Sequence, residues 1–252
     1  MRGAQPKADR MRRSTSLLPC IGLVLGLAAP AAQAAPDPFE PVNRRIHALN
    51  QVLQAHVLGP AAEAYVAYTP PGVREGVANA FANLGEPITA ISSLAAGDLP
   101  RAGNAALRFG INTTLGLGGV SDAAASFGFA PRPMAPADAV CSWGVASGPY
   151  LVLPLLGPST LRDAGTMIAT GAALSQAVGP DVLLGWRSGD LFTTYAAFHA
   201  ELQRIDAQAL DSYAVHRSAF LQRRAATCPA DRVAELEDDD HAPPREVTAA
   251  AP

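Results

Sequence analysis

Between Asp138 and Arg162 the chain carries no charged side chain, yet Gly144, Gly148, Pro149, Pro154, Gly157 and Pro158 interrupt the same stretch. A helix that crosses a bilayer needs roughly 20 consecutive apolar residues, and this run is long enough. The breakers forbid one continuous helix, because an interior proline removes a backbone bond and collides with the preceding turn. The stretch is therefore read as a folded apolar loop or turn region. Irregular backbone of this kind avoids bare lipid contact unless protein or water satisfies its polar groups.

Charge is scarce elsewhere too. Only 16% of the residues are charged, against roughly 25% in ordinary soluble domains. A net charge of −3 argues against a nucleic-acid binder, which holds phosphates with a field of Lys and Arg. A hydrophobic share of 49% excludes a disordered chain, and three cysteines are too few for a disulfide-framed miniprotein. Twenty-two glycines and 22 prolines without a period exclude collagen and predict many interrupted elements.

The two ends read as additions to one central domain. Arg2, Lys7, Arg10, Arg12 and Arg13 precede an apolar run from Leu17 to Leu27, and Ala32-Gln33-Ala34 closes it with a small-x-small pattern. Residues 1–34 are expected to be a secretory signal cut before Ala35. Cys20 follows Leu17-Leu18-Pro19 and stands ahead of most of the apolar core, a poor setting for lipid attachment. Cleavage removes those five basic residues against Asp9 alone, so the remainder is more acidic, and any membrane affinity must come from apolar insertion. Residues 229–252, with Glu235, Glu237 and Asp238 to Asp240 ahead of a Pro- and Ala-rich end, are expected to form a disordered acidic tail.

Residues 35–228 read as a single, mainly α domain of broken amphipathic helices. Val42, Ile46, Leu49, Leu53 and Val57 recur at helical spacing, and Gly59-Pro60 is expected to stop that helix. The period resumes through Val73, Val77, Phe81, Leu84, Ile88, Ile91 and Leu94, with Asn79, Asn83 and Glu86 off the stripe. Gly85 and Pro87 are expected to divide this window into two helices. Further helices are expected over Leu99 to Ile111, within Ala164 to Val178, and from about Asp190 to Ala226. No alternating strand pattern stands out.

No motif points to catalysis, a metal or a cofactor. His47, His56, His199, His216 and His241 lack metal-ligand spacing and read as surface residues. Ser147 departs from the Gly-x-Ser-x-Gly elbow, since Gly144 and Gly148 stand at the wrong spacing from it and Pro149 follows two places on. Gly116-x-Gly118-Gly119 lacks the third glycine of a dinucleotide fingerprint, because position 121 is Ser121. Cys141 and Cys228 survive cleavage and could form a disulfide in an oxidising compartment or remain thiols, a question geometry decides. Arg44-Arg45 and Arg223-Arg224 suit lipid phosphates or a solvated helix face equally well.

Asp37-Pro38-Phe39-Glu40-Pro41-Val42-Asn43-Arg44 and the segments 83–90 and 108–119 resemble the MlaA (VacJ) family of outer-membrane lipid-asymmetry proteins, and are the first of several such blocks. The strongest is Trp143-Gly144-Val145 followed by the segment 148–159 and Arg162-Asp163. Ser212-Tyr213-Ala214, Arg217-Ser218 and Gln222-Arg223-Arg224 complete the match, which covers roughly residues 37 to 226 in order. Two features depart from the family: the setting of Cys20, and the Pro131, Pro133 and Pro136 segment leading to Cys141.

The resemblance implies a helical, ring-like monotopic protein in the inner leaflet of the outer membrane, facing the periplasm. Phospholipids mislocalised to the outer leaflet would leave through an amphipathic channel, with a trimeric porin beside it and a periplasmic carrier downstream. The activity is passive transport, with no reaction catalysed. Apolar helix faces would be embedded, while the segment 143–159, including Trp143, Gly144, Gly148, Tyr150 and Pro154, and the glycines Gly116, Gly118 and Gly119 shape or gate the passage. Arg108, Asn112 and Arg162 are candidate polar contacts, for which capping or packing is the plainer assignment. The rival reading is a lipid-binding or porin-associated scaffold that transports nothing.

Overall fold

The protein is described by a computed structural model in which residues 37–228 are placed. The expected signal segment and acidic tail lie outside the described residues. The fold is mainly α, as the sequence predicts. Its elements are α1 (Glu40–Leu53), a π-helical turn (Gln54–Leu58), α2 (Gly59–Tyr68), α3 (Pro71–Ala95), α4 (Leu99–Thr114), α5 (Ala123–Ser126), α6 (Pro136–Ser142), β1 (Tyr150–Leu153), β2 (Gly157–Thr160), α7 (Leu161–Val178), α8 (Pro180–Gln208) and α9 (Ser212–Thr227). Many of the prolines begin elements instead of breaking them. Proline occupies the first or second position of α1, α2, α3, α4, α6 and α8, where its missing N–H has no intrahelical partner to lose.

Three expectations are corrected. The helix begun at Glu40 does not end at Gly59-Pro60. It widens into a π turn, in which the Gly59 amide donates to the Gln54 carbonyl, and runs on into α2. The wider turn accommodates the Pro60 ring, which would otherwise press on the carbonyl one turn back. Likewise Gly85 and Pro87 do not split α3, which carries Pro87 in its interior and packs along α4. Finally, the charge-free stretch contains a β-hairpin, with Tyr150 opposite Thr160 and Leu153 opposite Gly157. Its short strands turn through Pro154, Leu155 and Leu156, too brief for period-2 patterning to register.

The hairpin is held by two amides of α1. Asn43 donates from Nδ2 to the Tyr150 carbonyl (3.0 Å) and accepts from the Val152 amide (2.9 Å). Asn50 repeats the pattern, donating to the Leu153 carbonyl (2.9 Å) and accepting from the Leu155 amide (2.8 Å). Seven residues of helix advance about 10.5 Å and three residues of strand about 10 Å. One helix face thus stands in for a neighbouring strand along the outer edge of β1.

The same inversion holds across the molecule. Buried positions are rich in polar side chains, among them Asn43, Asn50, Asn83, Glu86, Arg108, Asn112, Arg162, Arg217 and Arg224. The apolar stripes face outward, with Val42 54%, Val57 57% and Ile91 67% exposed. Among the described residues, buried apolar packing is confined to Ala positions, Cys141, Cys228 and a small cluster of Tyr150, Val152, Tyr213 and Phe220. Among the described residues no helix is long and apolar enough to cross a membrane.

Buried charge is neutralised locally. Arg108 on α4 meets Glu86 on α3 at 2.6 Å and Asp122 at 3.2 Å, and also donates to the Phe129 carbonyl (2.6 Å). Asn112, one helical turn on, donates to Asp122 (3.1 Å) and accepts from the Ala124 amide (2.8 Å). Burial alone would raise the Asp122 carboxyl, but hydrogen bonds from Arg108 and Asn112 outweigh it and hold it below its ordinary value of 3.8.

Two outcomes follow for thermal unfolding in detergent. Asn43→Ala leaves the Tyr150 carbonyl and the Val152 amide unpaired and lowers stability by about 2–4 kcal/mol, whereas Val42→Ala on the outward face changes it by roughly 0.5 kcal/mol or less. Because the Asp122 pKa is depressed in the folded state, its contribution is complete above pH 3.8 and is lost as pH falls through the lower folded value. Arg108→Gln is destabilised by about 3–5 kcal/mol at neutral pH, since Glu86 becomes a buried unpaired carboxylate, and it loses this acid step.

Candidate functional site

The residues singled out by the sequence separate into three groups. Arg108, Asn112, Tyr150 and Arg162 are buried and hydrogen-bonded or packed within the protein. Arg162, at the start of α7, donates to the Val145 carbonyl (2.9 Å) and pairs with Asp163 (3.0 Å). Its guanidinium also lies 3.3 Å from Cys228 Sγ. Tyr150 sits edge-on to Tyr213 and Phe220. Burial, followed by the opposed influences of Arg217 and Asp37, leaves its phenol pushed up to about 12.

A second group shapes backbone. A side chain at Gly116 would meet the Ser121 carbonyl oxygen at 2.2 Å and the Asn112 carbonyl oxygen at 2.6 Å. Gly119 has φ +94°, and a Cβ there would lie 2.5 Å from Asn83 Cβ, so the loop after α4 folds tightly onto α3. Gly118 shares the left-handed backbone but faces open space. Gly148 lies against Leu161, also with positive φ.

The third group is exposed or lines a cavity. Trp143 is 62% exposed while its Nε1 donates to the Ala95 carbonyl (2.8 Å), which fixes an amphipathic ring at the surface. Pro154 forms the exposed hairpin tip with Leu155 and Leu156. Gly144 borders a cavity of about 790 Å³, inside the roughly 300–1,000 Å³ range of ligand sites. Asp98, Arg101, Met134, Asp138 and Thr227 line it as well.

The disulfide forms one wall of this cavity. Cys141 and Cys228 are bonded, with Cα atoms 5.9 Å apart, and join α6 to the end of α9. Beside it Arg224 pairs with Asp138 (2.6 Å) and Asp163 (3.1 Å). A second clasp forms at the other end of α9. The buried Asp37 carboxylate accepts from Asn43 (3.1 Å) and from the Tyr213 hydroxyl, with Arg217 Nε 3.8 Å away. Burial first, and then the Asp37 carboxylate, raise the Tyr213 phenol.

Sequence reasoning missed Asn43, Asn50, Glu86, Asp98, Arg101, Asp122 and Asp138. The seven-residue spacing of Asn43 and Asn50 was the available signal, and Asp98 and Asp122 precede helices in the N-cap position. The histidine reading also needs correction. His199 is buried, with Nδ1 2.8 Å from the Tyr195 hydroxyl. His47 is partly buried against Tyr213 and His216. The absence of a side chain at Gly59 lets the His199 ring approach α2 closely. Among the described residues no group of three or more His, Cys, Asp or Glu side chains could hold a metal ion.

Comparison with known proteins agrees with this architecture. Residues 35–227 match the family model described as MlaA lipoprotein. The intermembrane phospholipid transport system lipoprotein MlaA of Escherichia coli is 31% identical over 202 residues, covering 76% of this chain and 78% of that protein. The protein of the same name from Haemophilus influenzae is 32% identical over 207 residues, with 74% and 76% covered. An uncharacterised protein of Rickettsia felis is 35% identical over 139 residues, a match that spans 55% of each chain. A solved structure concerned with the maintenance of bacterial outer membrane lipid asymmetry superposes with a TM-score of 0.68 at 30% identity, covering 76% of this chain and 98% of that one. The chain belongs to the MlaA lipoprotein family.

Proposed function

We propose that this protein is the outer-membrane component of an intermembrane phospholipid transport system, which removes phospholipids mislocalised to the outer leaflet and so maintains lipid asymmetry. It would lie at the periplasmic face of that membrane after signal cleavage, its outward apolar faces immersed in the inner leaflet. The observation that carries this reading is the inverted polarity of the helices. Val42, Leu49, Val73, Leu84, Ile91 and Leu94 are exposed on the same helices that bury Asn43, Asn50, Asn83 and Glu86. In water such a surface would aggregate, and in hydrocarbon it is solvated. The names of the E. coli and H. influenzae relatives support the same assignment.

The transport is passive. A head group crossing hydrocarbon loses its hydration, so a path with one polar wall and one apolar wall lowers the barrier to its movement. The cavity beside the disulfide offers both kinds of lining, polar at Asp98, Arg101 and Asp138 and apolar at Met134, Pro133 and Ala226. Gly144 lies on its rim. The exposed Trp143 suits the head-group level, where Trp gathers in membrane proteins. The tightly folded Gly116 to Gly119 loop and the hairpin at Tyr150 and Pro154 do not line this cavity and would shape the passage beyond it. Arg108, Asn112 and Arg162 act from behind as the buried pairs that keep those walls in place. A trimeric porin would support the protein within the membrane, and a periplasmic carrier would take the lipid onward.

Deletion of the gene is expected to raise the phospholipid that an added phospholipase cleaves on intact cells several-fold, and restoring the gene reverses the rise. No change on deletion favours a scaffold that transports nothing.

A further inference from the structure

The cavity beside the disulfide has a divided charge. Arg101 is its one cationic lining residue, while Asp98 and Asp138 supply two carboxylates. Asp98 caps α4 by accepting from the Arg101 amide (3.0 Å), and its other oxygen lies 3.3 Å from Arg101 Nε. That Nε is buried and makes no hydrogen bond. Asp138 approaches from α6 and accepts from Arg224 (2.6 Å) and the Ala135 amide (3.1 Å). All three lining side chains keep part of their surface open, so a ligand in the cavity can reach each of them.

Because Arg224 already neutralises Asp138, a purely anionic head group would pair its phosphate with Arg101 and face the Asp98 carboxylate with nothing to offer it. A zwitterionic head group pairs both of its charges. The choice of ammonium follows from the lining. Quaternary ammonium groups are recognised by aromatic faces, and no Phe, Tyr or Trp is among the lining residues. A primary ammonium carries three N–H donors, which suit a carboxylate.

From this lining, and resting on the transport reading above, we propose that the cavity seats the head group of a zwitterionic, primary-ammonium phospholipid, a phosphoethanolamine. Arg101 contacts the phosphate and Asp98 receives the ammonium, while Asp138 stays paired with Arg224. The apolar side of the cavity, at Met134, Pro133 and Ala226, receives the start of the acyl chains.

The test is a binding titration of the purified full-length protein in detergent with three water-soluble short-chain lipids, a phosphatidylethanolamine, a phosphatidylglycerol and a phosphatidylcholine. The ethanolamine lipid is expected to bind about fivefold more tightly than the other two, the amount a partly exposed ion pair supplies. Asp98→Asn is the informative variant. Asn caps helices as well as Asp, so α4 is kept, which a thermal melt verifies, and the preference disappears while the glycerol lipid binds no worse. Arg101→Gln weakens all three lipids. Equal binding of the three, a preference for the glycerol or choline lipid, or a preference that survives Asp98→Asn overturns the head-group assignment and leaves transport standing. Failure of all three to bind overturns both.

Discussion

A protein that turns its apolar helix faces outward must find partners for most of the polar groups it turns inward. An unpaired buried donor or acceptor costs about 1–3 kcal/mol, and an unpaired buried charge about 3–5 kcal/mol. The buried Asn, Glu and Arg side chains here have little apolar packing to support them, since among the described residues the buried apolar cluster is limited to Tyr150, Val152, Tyr213 and Phe220. They are supported by one another. Asn43 and Asn50 complete the edge of the hairpin, Arg108 closes on Glu86 and Asp122, and Arg224 closes on Asp138 and Asp163. On the proposed reading, the apolar contribution to the native state comes from the lipid around the protein.

These polar clasps connect residues far apart in the chain. Asp37 meets Tyr213 and Arg217, and Arg44 meets Asp211 at 2.8 Å, so the first helix is held to the last. The disulfide spans 87 positions, and closing a loop of that size removes conformational freedom from the unfolded chain worth about 4 kcal/mol on the chain-entropy account. The stretch without charges is gripped at both ends, by Cys141 and by Arg162, and along β1 by the two asparagines. An apolar segment full of glycine and proline acquires a single conformation in this way, with only the small cluster of Tyr150, Val152, Tyr213 and Phe220 packed beneath it.

The helical period was legible in the sequence, since Val42 to Val57 and Val73 to Leu94 do lie on helices, but of the residues lining the cavity only Gly144 falls within the blocks that carry the MlaA resemblance. The interruptions were misread at Gly59-Pro60 and Pro87, because a local rule about proline cannot see a π turn or a neighbouring helix that compensates the lost bond. The hairpin was missed because its edge is completed by side chains of α1, a tertiary contact. The pairing of Cys141 with Cys228 was left open for the same reason, as only geometry decides it. Asp98 and Arg101 went unremarked because they draw their meaning from Asp138, which reaches the same cavity from another helix.

The central claim is that the outward apolar faces meet lipid. A nitroxide introduced by Ile91→Cys, compared in bilayers with one introduced by Glu75→Cys on the same helix, tests it most directly. The account predicts that the label at 91 is relaxed strongly by lipid-soluble oxygen and weakly by an aqueous nickel complex, with the order reversed at 75. Equal exposure of both labels to the nickel complex would contradict it.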